Sequence, residues 1–272
     1  MAQTARFLWI GPRLSAMERL CLKSFVDVGY EVELYCYDDV EGVPAGVQRC
    51  DAAVILPCDQ IFQRKSGFGT GGYAEFSDRF RYHLLHAKGG WWFDMDFTAL
   101  RLKPEPTDIL FASTWEFQYG QCALGAAMWC APGDPRMAEL ARRADRIIAQ
   151  DAFEFGATGP FLVQNLVAEQ SLQGNVAPWR EFCPFPWRMS NRMAFQTHAE
   201  WVEDRARHIW QLYKEHTRPN FRAGYIRPET RAVHWHNEVW KAGSMDKNAR
   251  YHPWSPYGRL MRRHQVSADH PG

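Results

Sequence analysis

Asp94 and Asp96 stand one residue apart at the end of an aromatic run, Trp91-Trp92-Phe93, and Asp78 and Arg81 precede them on the same stretch. Carboxylates at that spacing offer hard oxygen ligands suited to Mg²⁺ or Mn²⁺. Most D-x-D matches are solvated turns. Here an aromatic strand delivers the pair from a core, which favours a site. The stretch before it reads as a helix from Phe76 to Lys88, with Ser77 as cap, Asp78 where the helix dipole favours an anion, and Gly89 as the stop. Phe80, Leu84 and Ala87 recur at helical spacing and face a core, while Asp78 and Arg81, three apart, share the other face. After Gly90 the period becomes two: Trp91, Phe93 and Met95 point one way, and Trp92, Asp94 and Asp96 the other.

Upstream, Phe7–Ile10 forms a short strand closed by Gly11-Pro12. Met17, Leu20, Cys21, Ser24 and Phe25 mark a helix that stops at Gly29, and Val32, Leu34 and Cys36 alternate in a second strand. Strand, helix and strand with short links open a parallel α/β sheet, in which ligands bind beyond the carboxyl ends of the strands. Trp9 falls at such an end, where it is either core or a platform for a flat base. A strand is expected at Val54-Ile55-Leu56. The glycine-rich Ser66–Gly72 lacks a lysine at phosphate-loop spacing, so a mobile loop beside a site is favoured over a phosphate cradle. Strands follow at Ile109–Phe111 and Ala123–Trp129, then helices from Pro135, capped by Asp134, and from Thr158-Gly159-Pro160. Pro178–Trp187 reads as an irregular surface loop, and Val202–Tyr213 as a helix with a solvated charged face.

The 272 residues, 46% hydrophobic and with twelve tryptophans, suffice for one large domain, residues 1–263, with a frayed tail at 264–272. A net charge of +1 argues against nucleic acid as the main partner. Seven scattered cysteines without C-x-x-C pairs favour a reduced compartment over a disulfide scaffold or zinc knuckle. No signal-like stretch or membrane-length run occurs. The expected location is cytoplasmic, the alternative being a lumenal domain without its anchor. In the last informative stretch, Ala232–Trp240, His234 and His236 lie two apart and share a face, so which of them is functional stays open.

Ser77-Asp78-x-x-Arg81-Tyr82-x-x-Leu85 followed by Gly89-Gly90-x-x-x-Asp94-x-Asp96 resembles the signature of glycosyltransferase family 32, with echoes in Phe7-x-Trp9-Ile10-Gly11, Thr158-Gly159-Pro160 and Ala232-Val233-His234. The family includes yeast initiating mannosyltransferases, lactosylceramide α-galactosyltransferases and clostridial glucosylating toxins. The resemblance implies a GT-A-like, Rossmann-type nucleotide-binding sheet with flanking helices. It also implies retaining transfer of a hexose from a nucleotide sugar to a saccharide or glycoconjugate hydroxyl, as in polysaccharide biosynthesis, with Mn²⁺ or Mg²⁺ as cofactor. On this reading Asp94, Asp96 and His234 hold the metal, and Asp94 also touches the ribose. Trp9 stacks on the base; Asp78, Arg81, Gly90 and Trp240 complete the donor site. A UDP-hexose is favoured over GDP-mannose, because an indole beside the short Gly11-Pro12 turn suits the smaller base. The chain departs from the family at Glu238-Val239-Trp240, where relatives often carry serine before the tryptophan. Two other classes compete. Asp94-x-Asp96-x-Thr98 also reads as the opening of a haloacid-dehalogenase-like phosphohydrolase, in which Asp94 would attack phosphorus. A catalytically silent carbohydrate-binding domain would account for the tryptophans.

Overall fold

The computed structural model describes residues 3–102, 104, 106–116, 118–150, 154–218 and 221–268. The chain opens with β1 (Thr4–Trp9), α1 (Ala16–Val28) and β2 (Glu31–Cys36). A reciprocal capping box between Ser15 and Glu18 starts α1, and Gly29 ends it with φ +99°. β3 (Val47–Asp51) pairs in parallel with β2. The strand expected at Val54–Leu56 is replaced by a 3-10 turn, Ala52–Val54, capped by Asp51. β3 lies at the sheet edge with mostly polar side chains, so it has no apolar alternation to read.

α2 (Ala74–Lys88) begins one turn earlier than its sequence suggests. Ser77 lies inside the helix, and Tyr73 at the cap position makes no capping bond. The first turn is tied down instead by Glu75, which is buried and ion-paired with Arg64. Phe80 and Leu84 face the core as expected, whereas Ala87 is exposed and Leu85 is buried in its place. β4 (Gly90–Phe93) runs parallel to β1 with Trp91 opposite Ala5. β5 (Phe97–Ala99) follows a turn made by Asp94, Met95 and Asp96, so the two acids lie just past the strand rather than on it. β6 (Leu110–Glu116) and β7 (Gly120–Cys130) complete an α/β sheet of order β3-β2-β1-β4-β7-β6. Strands β3 to β4 in that order are parallel, and β7 is antiparallel to both β4 and β6. Strand order reverses between β1 and β4, which is where open α/β sheets place ligands.

α3 (Pro135–Ile148), capped by Asp134, and α4 (Pro160–Glu169) cover one face, packing with α2 on Trp92 and Met128. On the other face Trp91 and Phe93 join Phe7, Phe25 and Phe182. Phe182 belongs to α5 (Trp179–Phe182), so the expected surface loop at 178–187 is in part core: Trp179, Phe182, Cys183 and Phe185 are buried. α6 (His198–Thr217) has no buried residue. β8 (Ala232–His234) pairs antiparallel with β5. α7 (Asn237–Ala242) and α8 (Pro256–Arg263) then close a third cluster around Trp235, Trp240, Tyr251 and Tyr257. Val266 packs on this cluster, and residues 269–272 of the expected tail lie outside the described residues. All seven cysteines are free.

Gly89 and Gly90 both hold positive φ, +61° and +81°. A Cβ on Gly89 would enter the backbone at Pro132, and one on Gly90 would meet the Arg6 guanidinium. Gly89→Ala should therefore cost more than about 2 kcal/mol in urea unfolding, and Gly90→Ala less, because an arginine end yields where a backbone cannot. Equal midpoints for Gly89→Ala and the parent would contradict this.

Candidate active site

β4 delivers Asp94 to the switch point. Its amide N–H donates to Ala126 O at 2.9 Å, which ties the turn to β7. Its Oδ1 accepts from Trp92 Nε1 at 2.9 Å and faces Arg81 Nη2 at 3.0 Å. The same Arg81 nitrogen lies 2.9 Å from Asp78 Oδ1, and the guanidinium rests 5.3 Å from the Trp92 ring. Asp78 Oδ2 accepts from Thr158 Oγ1 at 2.8 Å, just before α4. Arg81 and Asp78 are both buried. Burial pushes the Asp78 carboxyl up to about 6, although Arg81 and the Thr158 hydroxyl pull it down. Burial opposes the charge on Arg81, yet Asp94 and Asp78 hold it firmly protonated.

Asp96 and His234 meet because β5 pairs with β8, with Phe97 opposite His234. Asp96 Oδ2 accepts from the Asn237 N–H at 2.7 Å and lies 3.2 Å from His234 Nε2. Asp96 Oδ1 is buried and has no partner among the described residues. The His234 ring stacks on Phe97 at 4.4 Å, and its Nδ1 lies 3.8 Å from Cys183 Sγ. Burial disfavours the imidazolium, but Asp96 raises the His234 pKa well above its ordinary value. Conversely, burial would raise Asp96, and His234 with the Asn237 amide holds it well below the carboxylate range. His236 adopts φ +57° and donates from Nε2 to Phe185 O at 2.8 Å. Burial, then the neighbouring His234 charge, lowers its pKa to about 3. Of the two histidines, His234 is thus the one that faces the acids.

Asp94, Asp96 and His234 each offer a ligand atom, all within 4.8 Å of one another. Two carboxylates and an imidazole can together hold a divalent cation, and Asp96 Oδ1, without a partner among the described residues, is an acceptor that such a cation would satisfy. A cation there competes with the His234 proton.

The other expected site residues fall in different places. Trp9 is half-buried at the carboxyl end of β1, three residues past the last β1–β4 pair, Arg6 opposite Trp92, and its Nε1 has no partner among the described residues. Gly90 stands at the opposite end of β4, roughly 10 Å from Phe93 at the rise of a strand, and its contact is with Arg6. Trp240 is fully buried among Trp235, Tyr251 and Tyr257, so its indole is a packing group here. The glycine-rich loop folds back through paired backbone bonds between Arg64 and residues 71 and 72. A Cβ on Gly72 would lie 3.9 Å from Glu238 Oε1 of α7. Cys183 and the Asn237 amide carried no sequence signal, because each contributes through a contact made only in three dimensions.

No protein-family model and no curated protein matches the chain. Among solved structures it is similar to the PaToxG glycosyltransferase, at 13% identity over 62% of this chain and 70% of that one, with a TM-score of 0.48. It is also similar to the UDP-bound glycosyltransferase domain from the YGT toxin, at 11% identity over 98% and 97%, with a TM-score of 0.43. The catalytic domain of alpha-toxin from Clostridium novyi follows at 9% identity over 63% and 64%, with a TM-score of 0.37.

Arg81→Met should destabilise the fold by about 2–4 kcal/mol, because it strands the buried Asp78 carboxylate and leaves half-buried Asp94 without its cation. Adding Asp78→Asn should restore part of that loss; a single-variant loss below about 1 kcal/mol in chemical denaturation would contradict the account. Asp78 also has a pH signature. The folded chain holds its proton up to about 6, above the ordinary carboxylate range, so protonation favours the folded state. Relative to Asp78→Asn, the parent's melting temperature should rise as pH falls from about 7 to about 4.5. A flat difference would exclude the raised pKa.

Proposed function

We propose that the chain is a retaining glycosyltransferase that moves a hexose from a nucleotide sugar, a UDP-sugar first, to a hydroxyl of a saccharide or glycoconjugate. The observation that carries this reading is the cluster of Asp94, Asp96 and His234 at the sheet's switch point, with Asp96 Oδ1 unpartnered. These three residues would hold Mn²⁺ or Mg²⁺, which supplies charge neutralisation for the departing diphosphate. Asp96 is the direct ligand, its other oxygen fixed by the Asn237 amide. Asp94 is oriented by Trp92 and Arg81 and has the freedom to meet the ribose as well. Arg81 offers its planar fork toward the donor while neutralising the acids around it. Asp78, engaged at both oxygens, sets the Arg81 position in this geometry. Trp9 presents its indole to the base. No side chain is assigned as nucleophile; the leaving phosphate oxygen takes the acceptor's proton on the same face.

The phosphohydrolase alternative fits poorly. Thr98 is fully buried and accepts from Trp235 Nε1 at 2.7 Å, so its hydroxyl is spent within the core. Asp94, the nucleophile that chemistry needs, is ion-paired with Arg81.

The test is product identity with a panel of UDP- and GDP-hexoses and Mn²⁺. UDP should form together with free sugar or glycoside, and Asp96→Asn should lower that rate by about 100-fold or more. Orthophosphate from simple phosphomonoesters, with no nucleoside diphosphate from any donor, would overturn the assignment. Trp9→Ala should weaken UDP binding about tenfold or more in calorimetry, as loss of a base-stacking aromatic does. Unchanged affinity in a folded variant would remove Trp9 from the site.

A further inference from the structure

The first turns of α6, the first turn of α8 and Trp254 just before it flank an open trough of about 290 Å³ lined by Trp201, Arg205, Trp254 and Arg259. The two indoles lie 4.8 Å apart, centroid to centroid, and are inclined at 56°. His198 packs against Trp201 at 4.9 Å and His252 against Trp254 at 5.6 Å, which makes a continuous aromatic floor. Trp254 remains 48% exposed, and the Trp201 Nε1 donor is buried without a partner among the described residues. The charge is as unusual as the surface. Glu203 and Asp204, the acids beside Arg205, are taken by Arg207 and Arg192. Arg205 and Arg259 form no ion pair among the described residues. The walls are fixed in advance: a capping box of Thr197 and Glu200 starts α6, and Ser255 caps α8. Preorganisation of this kind lowers the cost of binding.

We infer that this trough is a second binding site, outside the Asp94–Asp96–His234 cluster, for an acidic saccharide. Two inclined indoles present apolar faces to sugar rings, whereas a flat nucleobase calls for a parallel slot. Two guanidinium forks that form no ion pair among the described residues, that of Arg205 lying 5.9 Å from the Trp201 ring, match carboxylates on those rings bidentately. The buried Trp201 N–H supplies a donor for a ring or hydroxyl oxygen. The volume lies at the small end of ligand sites, enough for one or two rings of a chain that continues into solvent. The trough stands independently of the transfer reading, because neither Trp254 nor Arg259 belongs to that machinery.

Calorimetry of the full chain with a galacturonic acid trimer tests the proposal without any turnover. The trimer should bind, and its methyl ester, UMP and inorganic phosphate should each bind at least about tenfold more weakly. Trp254→Ala and Arg259→Ala, both exposed positions, should each weaken the acid trimer about tenfold while leaving UDP affinity unchanged. Equal binding of the methyl ester, preference for UMP or phosphate, unchanged affinity in both folded variants, or no binding of the trimer at about 10 mM would each overturn it. A failed donor assay with intact trimer binding would count against the transfer reading alone.

Discussion

A single buried guanidinium, that of Arg81, stands between two carboxylates on different elements, Asp78 on α2 and Asp94 after β4. Without it the site would hold two like charges close together, that of Asp78 buried and that of Asp94 half-buried, at a cost of several kcal/mol. The surrounding chain is shaped to leave room for that pair and little else. A Cβ on Gly159 would fall 2.7 Å from Asp78 Oδ2, and one on Gly125 would fall 3.1 Å from Arg81 Nη1. Thr158 and Tyr82 brace the arrangement from the α4 side, since the Tyr82 hydroxyl donates to Thr158 O at 2.8 Å. Helix α2, strands β4 and β7 and helix α4 therefore meet around one charge balance, and the position of Asp94 follows from it.

A second constraint closes the site from the far end of the chain. Trp235 donates to Thr98, and the Asn237 amide and His234 converge on Asp96. These bonds dock β8 on β5 and leave one Asp96 oxygen without a partner among the described residues. The segment holding Cys183 and Phe185 then separates the two histidines by role. One nitrogen of His234 faces Cys183 and the other the acids, whereas His236 is fixed to a backbone carbonyl. A prearranged set of charges of this kind is the means by which a site stabilises charge developing on a leaving group.

Much of this was legible in the sequence because it is local. The i, i+3 spacing of Asp78 and Arg81, the aromatic run into Asp94 and Asp96, and the glycine stop at Gly89 each follow from short-range periodicity. What escaped was set at long range or by edges. β3 is a polar edge strand, visible only as the partner that β2 lacks on that side. Helix α2 starts early because Glu75 finds Arg64 across a loop. Ala87 is helically placed yet exposed, and the expected surface stretch at 178–187 is partly buried because α5 packs on β6. Trp240 reads as a ligand platform in isolation but is claimed by an aromatic cluster assembled from α7, α8 and the segment between them. Gly90 lies in the motif for its backbone angle and its fit against Arg6.

The central claim is that Asp94, Asp96 and His234 together form one divalent-cation site for a nucleoside diphosphate. Its most direct test is a Mn²⁺ titration of the UDP-saturated protein followed by electron paramagnetic resonance. The account predicts about one tightly bound ion per chain, with the tight class lost when Asp96 and His234 are replaced together by Asn and Phe. Undiminished Mn²⁺ binding in that double variant, or no tight binding in the parent protein, would contradict it.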